Sequence, residues 1–262
     1  MLTKLKSNKW LQSVLAGLYG FLVSGLMYIL DYFNYRQSGM IEESISTVNL
    51  ITGAITAGII VFIFLFVAFV VGKSCENKLC IERVNIRRED KKEFKFFMIL
   101  LLISCICMPI ITTVFDNFLF KNKLPYFMPV EFNLFSVIET AIYNPFFEGF
   151  IFRYALISLL IFATQKVYDK KLGKLDYKNK WAYFPTILSV CLLFSINLTN
   201  IISMYGALTG LLLFRALLAY FIMDVIYAYV YLKYGIKYSI VTHFLYIIVY
   251  VGIIPLLCSF FN

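Results

Sequence analysis

A chain of 262 residues that is 61% hydrophobic and 15% charged falls well short of the about 25% charged residues usual in water-soluble domains. Hiding that much apolar surface from water would take a very large interior. The long charge-free runs therefore exclude an ordinary soluble domain and predict an all-α polytopic bundle in a membrane. The formal net charge of +9 raises the thought of nucleic acid, but the basic residues sit in short loops between apolar runs. That pattern belongs to membrane orientation. The expected partner is the lipid bilayer, with no nucleic acid.

Seven spans follow in chain order, roughly 10–30, 48–71, 96–115, 135–164, 182–202, 207–232 and 238–259. Each supplies the ~20 apolar residues that cross the hydrocarbon core as a helix. The first, Trp10–Leu30, is too long for a signal-peptide core and lacks a small-residue cleavage site. Three lysines precede it (Lys4, Lys6, Lys9); eight Lys or Arg fall in 72–95, six in 165–181 and two in 233–237. The alternate loops hold only Arg36, Lys121 and Lys123, while Arg153 and Arg215 lie within spans. This alternation predicts an integral membrane protein with its N-terminus cytosolic and its C-terminus outside. Cys75 and Cys80 then lie on the cytosolic side, and with no CxxC pair in the chain they are expected as reduced thiols. Residues 1–134 read as three N-terminal transmembrane helices with a basic cytosolic loop, and 135–262 as a core of four more.

Between the spans, residues 81–95 (IERVNIRREDKKEFK) suit a charged helix on the inner membrane face or a solvated loop. Ile81, Val84, Ile86 and Phe94 give only a partial apolar side. This is the natural surface for an inner-face protein partner. Residues 121–133 (KNKLPYFMPVEFN), with two prolines and three aromatics, read as an outer interfacial loop. The span 135–164 is longer than a bilayer requires, and Pro145 predicts a kink or a division within it. The short, uncharged turn at 203–207 makes spans five and six antiparallel neighbours.

Glu139, Glu148, Arg153, Arg215, Asp224 and His243, the only histidine, lie within the spans. Ionisable groups at such depth are costly, so each marks a function or a structural pair. In a regular helix Glu148 and Arg153, five apart, point about 140° away from each other; a kink or a third group would have to bring them together. Arg215 and Asp224, nine apart, fall on opposite faces and need different partners. Glu139 lies near the outer surface. Gly149 fits a close helix contact, and Tyr227, Tyr229, Tyr231 and Tyr234 fit packing and the interfacial belt.

PFFEGFIFR (residues 145–153) resembles the first motif, P-x-x-E-E-x-x-F-R, of the CPBP intramembrane protease family, the CAAX-processing and bacteriocin-processing or immunity proteins also called Abi. Pro145, Glu148, Phe152 and Arg153 match in register. SVCLLFSINLTN (189–200) is similar to the second motif, a Ser-rich start followed by F-x-x-x-H and a trailing L-x-N. YLKYGIKYSIVTH (231–243) is similar to the third, where a Gly-containing turn leads to H-x-x-x-N. Order and spacing agree over roughly residues 135–250.

The resemblance implies an intramembrane endopeptidase of a bacterial plasma membrane that cleaves a peptide, a prenylated protein or a leader-peptide protein. In that family a glutamate activates water in an apolar cavity, with His and Asn side chains holding the oxyanion. Carried over, Glu148 is the general base, Arg153 its structural partner and His243 the second histidine. The first histidine falls on Asn197 if the L-x-N tail sets the register, or on Leu198 if Phe194 does. Gly149 replaces the second Glu and Ile247 the last Asn. No cofactor is expected: the metal proposed for the family wants three or four N, O or S ligands, and one His, one Glu and an Asn make a poor set. Enzymatic activity is accordingly left open. Two other readings stand beside the peptidase. One is a catalytically degenerate relative, a bacteriocin-immunity or peptide-maturation and export subunit. The other is a small transporter component with Glu148 and Asp224 in an ion path.

Overall fold

The structure, a computed structural model, describes residues 9–37, 47–79, 91–123, 132–168, 180–205 and 208–260. Seven helices among these are long and apolar enough to cross a membrane: α1 (Trp10–Phe33), α2 (Val48–Glu76), α3 (Lys91–Phe120), α4 (Leu134–Val167), α5 (Tyr183–Ser203), α6 (Gly210–Tyr234) and α7 (Ile236–Ser259). No strand occurs among the described residues, so the all-α bundle expected from the sequence is what forms. Two boundaries differ from the expectation. Helix α3 begins at Lys91 and runs to Phe120, so residues 91–95 belong to a spanning helix and not to an interfacial one; the rest of the 81–95 segment lies outside the described residues. Its far end takes in Asp116, which the apolar run had excluded.

The bundle is apolar outside and encloses a set of polar groups among its apolar core. Leu22, Val48, Phe64, Phe118 and Val167 are exposed, while Ser104, Thr112, Asp116, Arg153, Ser158, Arg215, Asp224, Ser239, Thr242 and His243 are buried. In lipid this is the sensible arrangement, since packing and interhelical hydrogen bonds, not burial of apolar surface, hold helices together. Ser158 and Tyr231 join α4 to α6 at 2.6 Å, and the Ser189 hydroxyl donates to the Phe152 carbonyl at 2.9 Å, joining α5 to α4. Ser239 donates to the Tyr227 carbonyl at 2.8 Å, which fixes the α6–α7 hairpin. That hairpin turns on Gly235, whose φ of 99° suits a residue without a Cβ.

Pro145 lies inside α4 without ending it, and the helix runs on through Gly149–Ile157 as a π-helix. Such wider turns, with i→i+5 hydrogen bonds, are rare and concentrate at functional positions. The π segment explains how the first motif is presented.

Candidate functional site

The i→i+5 turn brings residues five apart onto one face, which a regular helix does not. Arg153 Nη2 donates to Glu148 Oε2 at 3.2 Å and approaches His243 Nδ1 at 3.0 Å. The separation of Glu148 and Arg153 expected of a regular helix is therefore overturned by the backbone itself. Arg153 does not snorkel to an interface but is 2% exposed.

The Arg153 contact assigns the histidine tautomer. A guanidinium has donors only, so His243 Nδ1 must accept, and the ring proton resides on Nε2. The 3.8 Å approach of His243 Nδ1 to Glu148 Oε2 is then a proximity, not an ion pair. Tyr227 backs the cluster: its ring stacks on His243 with centroids 4.4 Å apart, and Arg153 Cζ lies 4.9 Å from the ring centre.

Glu148, Asn197, Asp224, Tyr227 and His243 line one cavity of about 340 Å³ among α4, α5, α6 and α7. Asn197, near one end of its span by hydropathy, thus lines the same cavity as His243, and Ile247 lines it too. Arg215 pairs with Asp116 and not with Asp224, as the spacing of Arg215 and Asp224 required. Arg215 makes a two-pronged bond to Asp116, Nε to Oδ1 at 2.9 Å and Nη2 to Oδ2 at 3.2 Å, and the Tyr250 hydroxyl donates to Asp116 Oδ2 at 3.0 Å. Glu139 is not at this site; it lines a separate cavity of about 410 Å³ with Asp31, Ser24, Tyr28 and Tyr143.

Gly149 is buried, and a Cβ there would sit 2.9 Å from Ile240 Cγ1 on α7. The position of the family's second Glu is therefore a helix–helix contact in this chain. A second carboxylate nevertheless reaches the cavity from α6. Asp224 is 6% exposed, and its Oδ2, Arg153 Nη1 and the Tyr227 hydroxyl have no protein hydrogen-bond partner. Buried polar groups are almost always satisfied, so three such atoms around one cluster leave hydrogen-bonding capacity for water or a substrate.

Sequence reasoning passed over three features here. Asp116 sat one residue past the expected third span. Tyr227, which fits packing and the interfacial belt by sequence, stacks on His243. The polar stripe Ser136, Thr140, Asn144 and Glu148, all lining the cavity, follows a four-residue spacing that was open to inspection.

As donors for a metal, these side chains fit badly. Among the described residues no group of three His, Cys, Asp or Glu clusters for an ion. The Arg153 guanidinium already occupies His243 Nδ1 and one Glu148 oxygen, setting a fixed positive charge where an ion would bind.

Fold and site together define a polytopic membrane protein with a polar intramembrane cavity lined by Glu148 and His243, which Arg153 joins. Residues 130–249 match the family model described as "Rce1-like: Type II CAAX prenyl endopeptidase Rce1-like", in agreement with the group its three motifs resemble. No curated protein and no solved structure matches the chain.

Proposed function

We propose that the chain is an intramembrane endopeptidase in which Glu148 activates water against a peptide bond held in the α4–α7 cavity. The observation that carries this reading is the double contact of Arg153 Nη2, to Glu148 and to His243 Nδ1. One guanidinium orients the base and sets the histidine with Nε2–H as a donor. In the reaction the water oxygen bonds to the scissile carbonyl carbon while its proton passes to Glu148. The carbonyl electron pair moves onto oxygen, where His243 Nε2–H and the Asn197 amide donate to it. The C–N bond then breaks, and the departing amine takes the proton back from Glu148. No metal enters the scheme, because Arg153 already supplies positive charge to the carboxylate. Substrates of this class are membrane-associated peptides, prenylated or leader-bearing.

A second reading, a relative that binds peptides without cleaving them, draws on Gly149 and Ile247, which stand where the family motifs carry polar side chains. Comparing the membrane and secreted peptidomes of cells carrying the wild-type chain or Glu148→Gln, at matched protein levels, separates the two. Cleaved peptides that vanish in the variant support the peptidase. Identical peptidomes, alongside a phenotype on deleting the whole chain, support the binding protein.

A further inference from the structure

We propose that the second cavity, among α1, α2 and α4, binds an amphiphile with a primary ammonium head, held by Asp31 and Glu139 with its apolar part against α2. This cavity shares no lining residue with the Glu148 cavity, so the binding is independent of any peptidase activity.

Three helix faces build the site. Ser24, Tyr28 and Asp31 follow one another at four and three residues along α1, Glu139 and Tyr143 at four along α4, and Ala57 and Val61 at four along α2. Such spacings put side chains on one face of each helix. The space between them is about 410 Å³, within the usual size of small-molecule sites. A Cβ at Gly53 would strike the Tyr28 ring, so this glycine lets the ring lie against α2 as a wall. Tyr28 and Ile60 are exposed at the surface of the bundle, where the cavity meets lipid.

The pair of acids sets the ligand's head. The Asp31 and Glu139 carboxyl groups come into hydrogen-bonding contact with each other. Ionised carboxylates only accept hydrogen bonds, and among the described residues no Lys, Arg or His lines the cavity. Asp116 and Glu148 each have an arginine; this pair has none. A primary ammonium supplies what is short here, N–H donors for both groups and a positive charge. The depth suits a headgroup, since Asp31 stands two residues from the Phe33 end of α1 and Glu139 five from the Leu134 end of α4, about 3 and 8 Å in. A metal ion fits less well, because among the described residues no three His, Cys, Asp or Glu side chains group together. Tyr28 and Tyr143, one turn further in, offer ring faces that favour an organic cation.

Ser24 marks the site independently. It is 6% exposed and lines the same cavity, and its hydroxyl has no protein hydrogen-bond partner. It lies two turns from Asp31, about 10 Å deeper. A buried hydroxyl left open points to a polar group on the ligand at that depth, such as the acyl ester carbonyl below an ethanolamine head. Met27, Ile60 and Val61 line the cavity beside it and suit the chain that follows.

Thermal unfolding of the purified full chain in a nonionic detergent at neutral pH tests this, because a ligand that binds the folded state raises the midpoint. The probes are dodecylamine and phosphatidylethanolamine, with dodecyltrimethylammonium and phosphatidylcholine as counterparts that have no N–H. The primary ammonium probes are expected to raise the midpoint and their trimethylated counterparts to leave it. A response to phosphatidylethanolamine makes a membrane lipid the source of the ammonium; a response to dodecylamine alone makes it a soluble amine. The paired variant Asp31→Asn/Glu139→Gln keeps the shape and removes the charge, and is expected to need about tenfold or more of the same probe. Ser24→Ala is expected to weaken the response to the lipid only, since dodecylamine has no carbonyl. Equal midpoint shifts with primary and trimethylated probes overturn the proposal. So does an equal response of the wild type and the paired variant, or no response to either primary ammonium. Where the paired variant does not fold, the comparison of probes on the wild-type chain decides by itself.

Discussion

The bundle buries two arginines against two carboxylates, and the pairs differ in what they leave over. At Asp116–Arg215 both carboxylate oxygens are engaged by the guanidinium, and the Tyr250 hydroxyl takes up a further lone pair. Three helices, α3, α6 and α7, meet in that knot. At Glu148–Arg153 a single guanidinium nitrogen is divided between the carboxylate and a histidine, while the other terminal nitrogen has no protein partner. The Glu148 side chain is 20% exposed, against 3% for Asp116. The first arrangement satisfies itself and clamps helices. The second keeps hydrogen-bonding capacity in reserve beside a cavity, as a site that must receive water and substrate requires.

Substitutions break or sharpen that contrast. Glu148→Gln keeps an oxygen for Arg153 but removes the base, and is expected to lower cleavage of an identified peptide by about 10²–10⁴-fold with little change in thermal midpoint. Asp116→Ala does the reverse. Stranding a buried guanidinium costs about 3–5 kcal/mol, seen as a lowered midpoint of the detergent-solubilised protein; an unchanged midpoint would remove the clamp from the account. His243→Ala deletes the Nε2–H donor and is expected to reduce kcat by about 10²–10³-fold, more than it alters KM. Gly149→Ala is the mildest. Its Cβ meets Ile240 and costs about 1–3 kcal/mol of stability, and Ile240→Ala in the same chain should recover most of that loss.

Composition and charge alternation made the seven helices legible, because a bilayer leaves few other solutions for long apolar runs. The first motif was legible as well, since Pro145, Glu148, Phe152 and Arg153 lie together in sequence. The joining of Glu148 to Arg153 was not. Their separation by five reads as two faces of a helix until the π segment is seen, and periodicity analysis assumes α geometry throughout. Asp116 was hidden for a different reason: hydropathy ends a span at the first charge, whereas a buried ion pair carries the helix past it. Asn197 lies late in α5 and His243 early in α7, and positions along two helices that cross in the same direction do not reveal that one cavity reaches both.

The most direct test measures peptide cleavage and thermal unfolding together for Glu148→Gln and Asp116→Asn in the same membranes. The account predicts a crossed result: Glu148→Gln stays folded and stops cleaving, while Asp116→Asn unfolds at lower temperature and, where still folded, cleaves. If Glu148→Gln cleaves as the wild type does, or if its main effect is unfolding, Glu148 is another clamp and the assignment of the site is wrong.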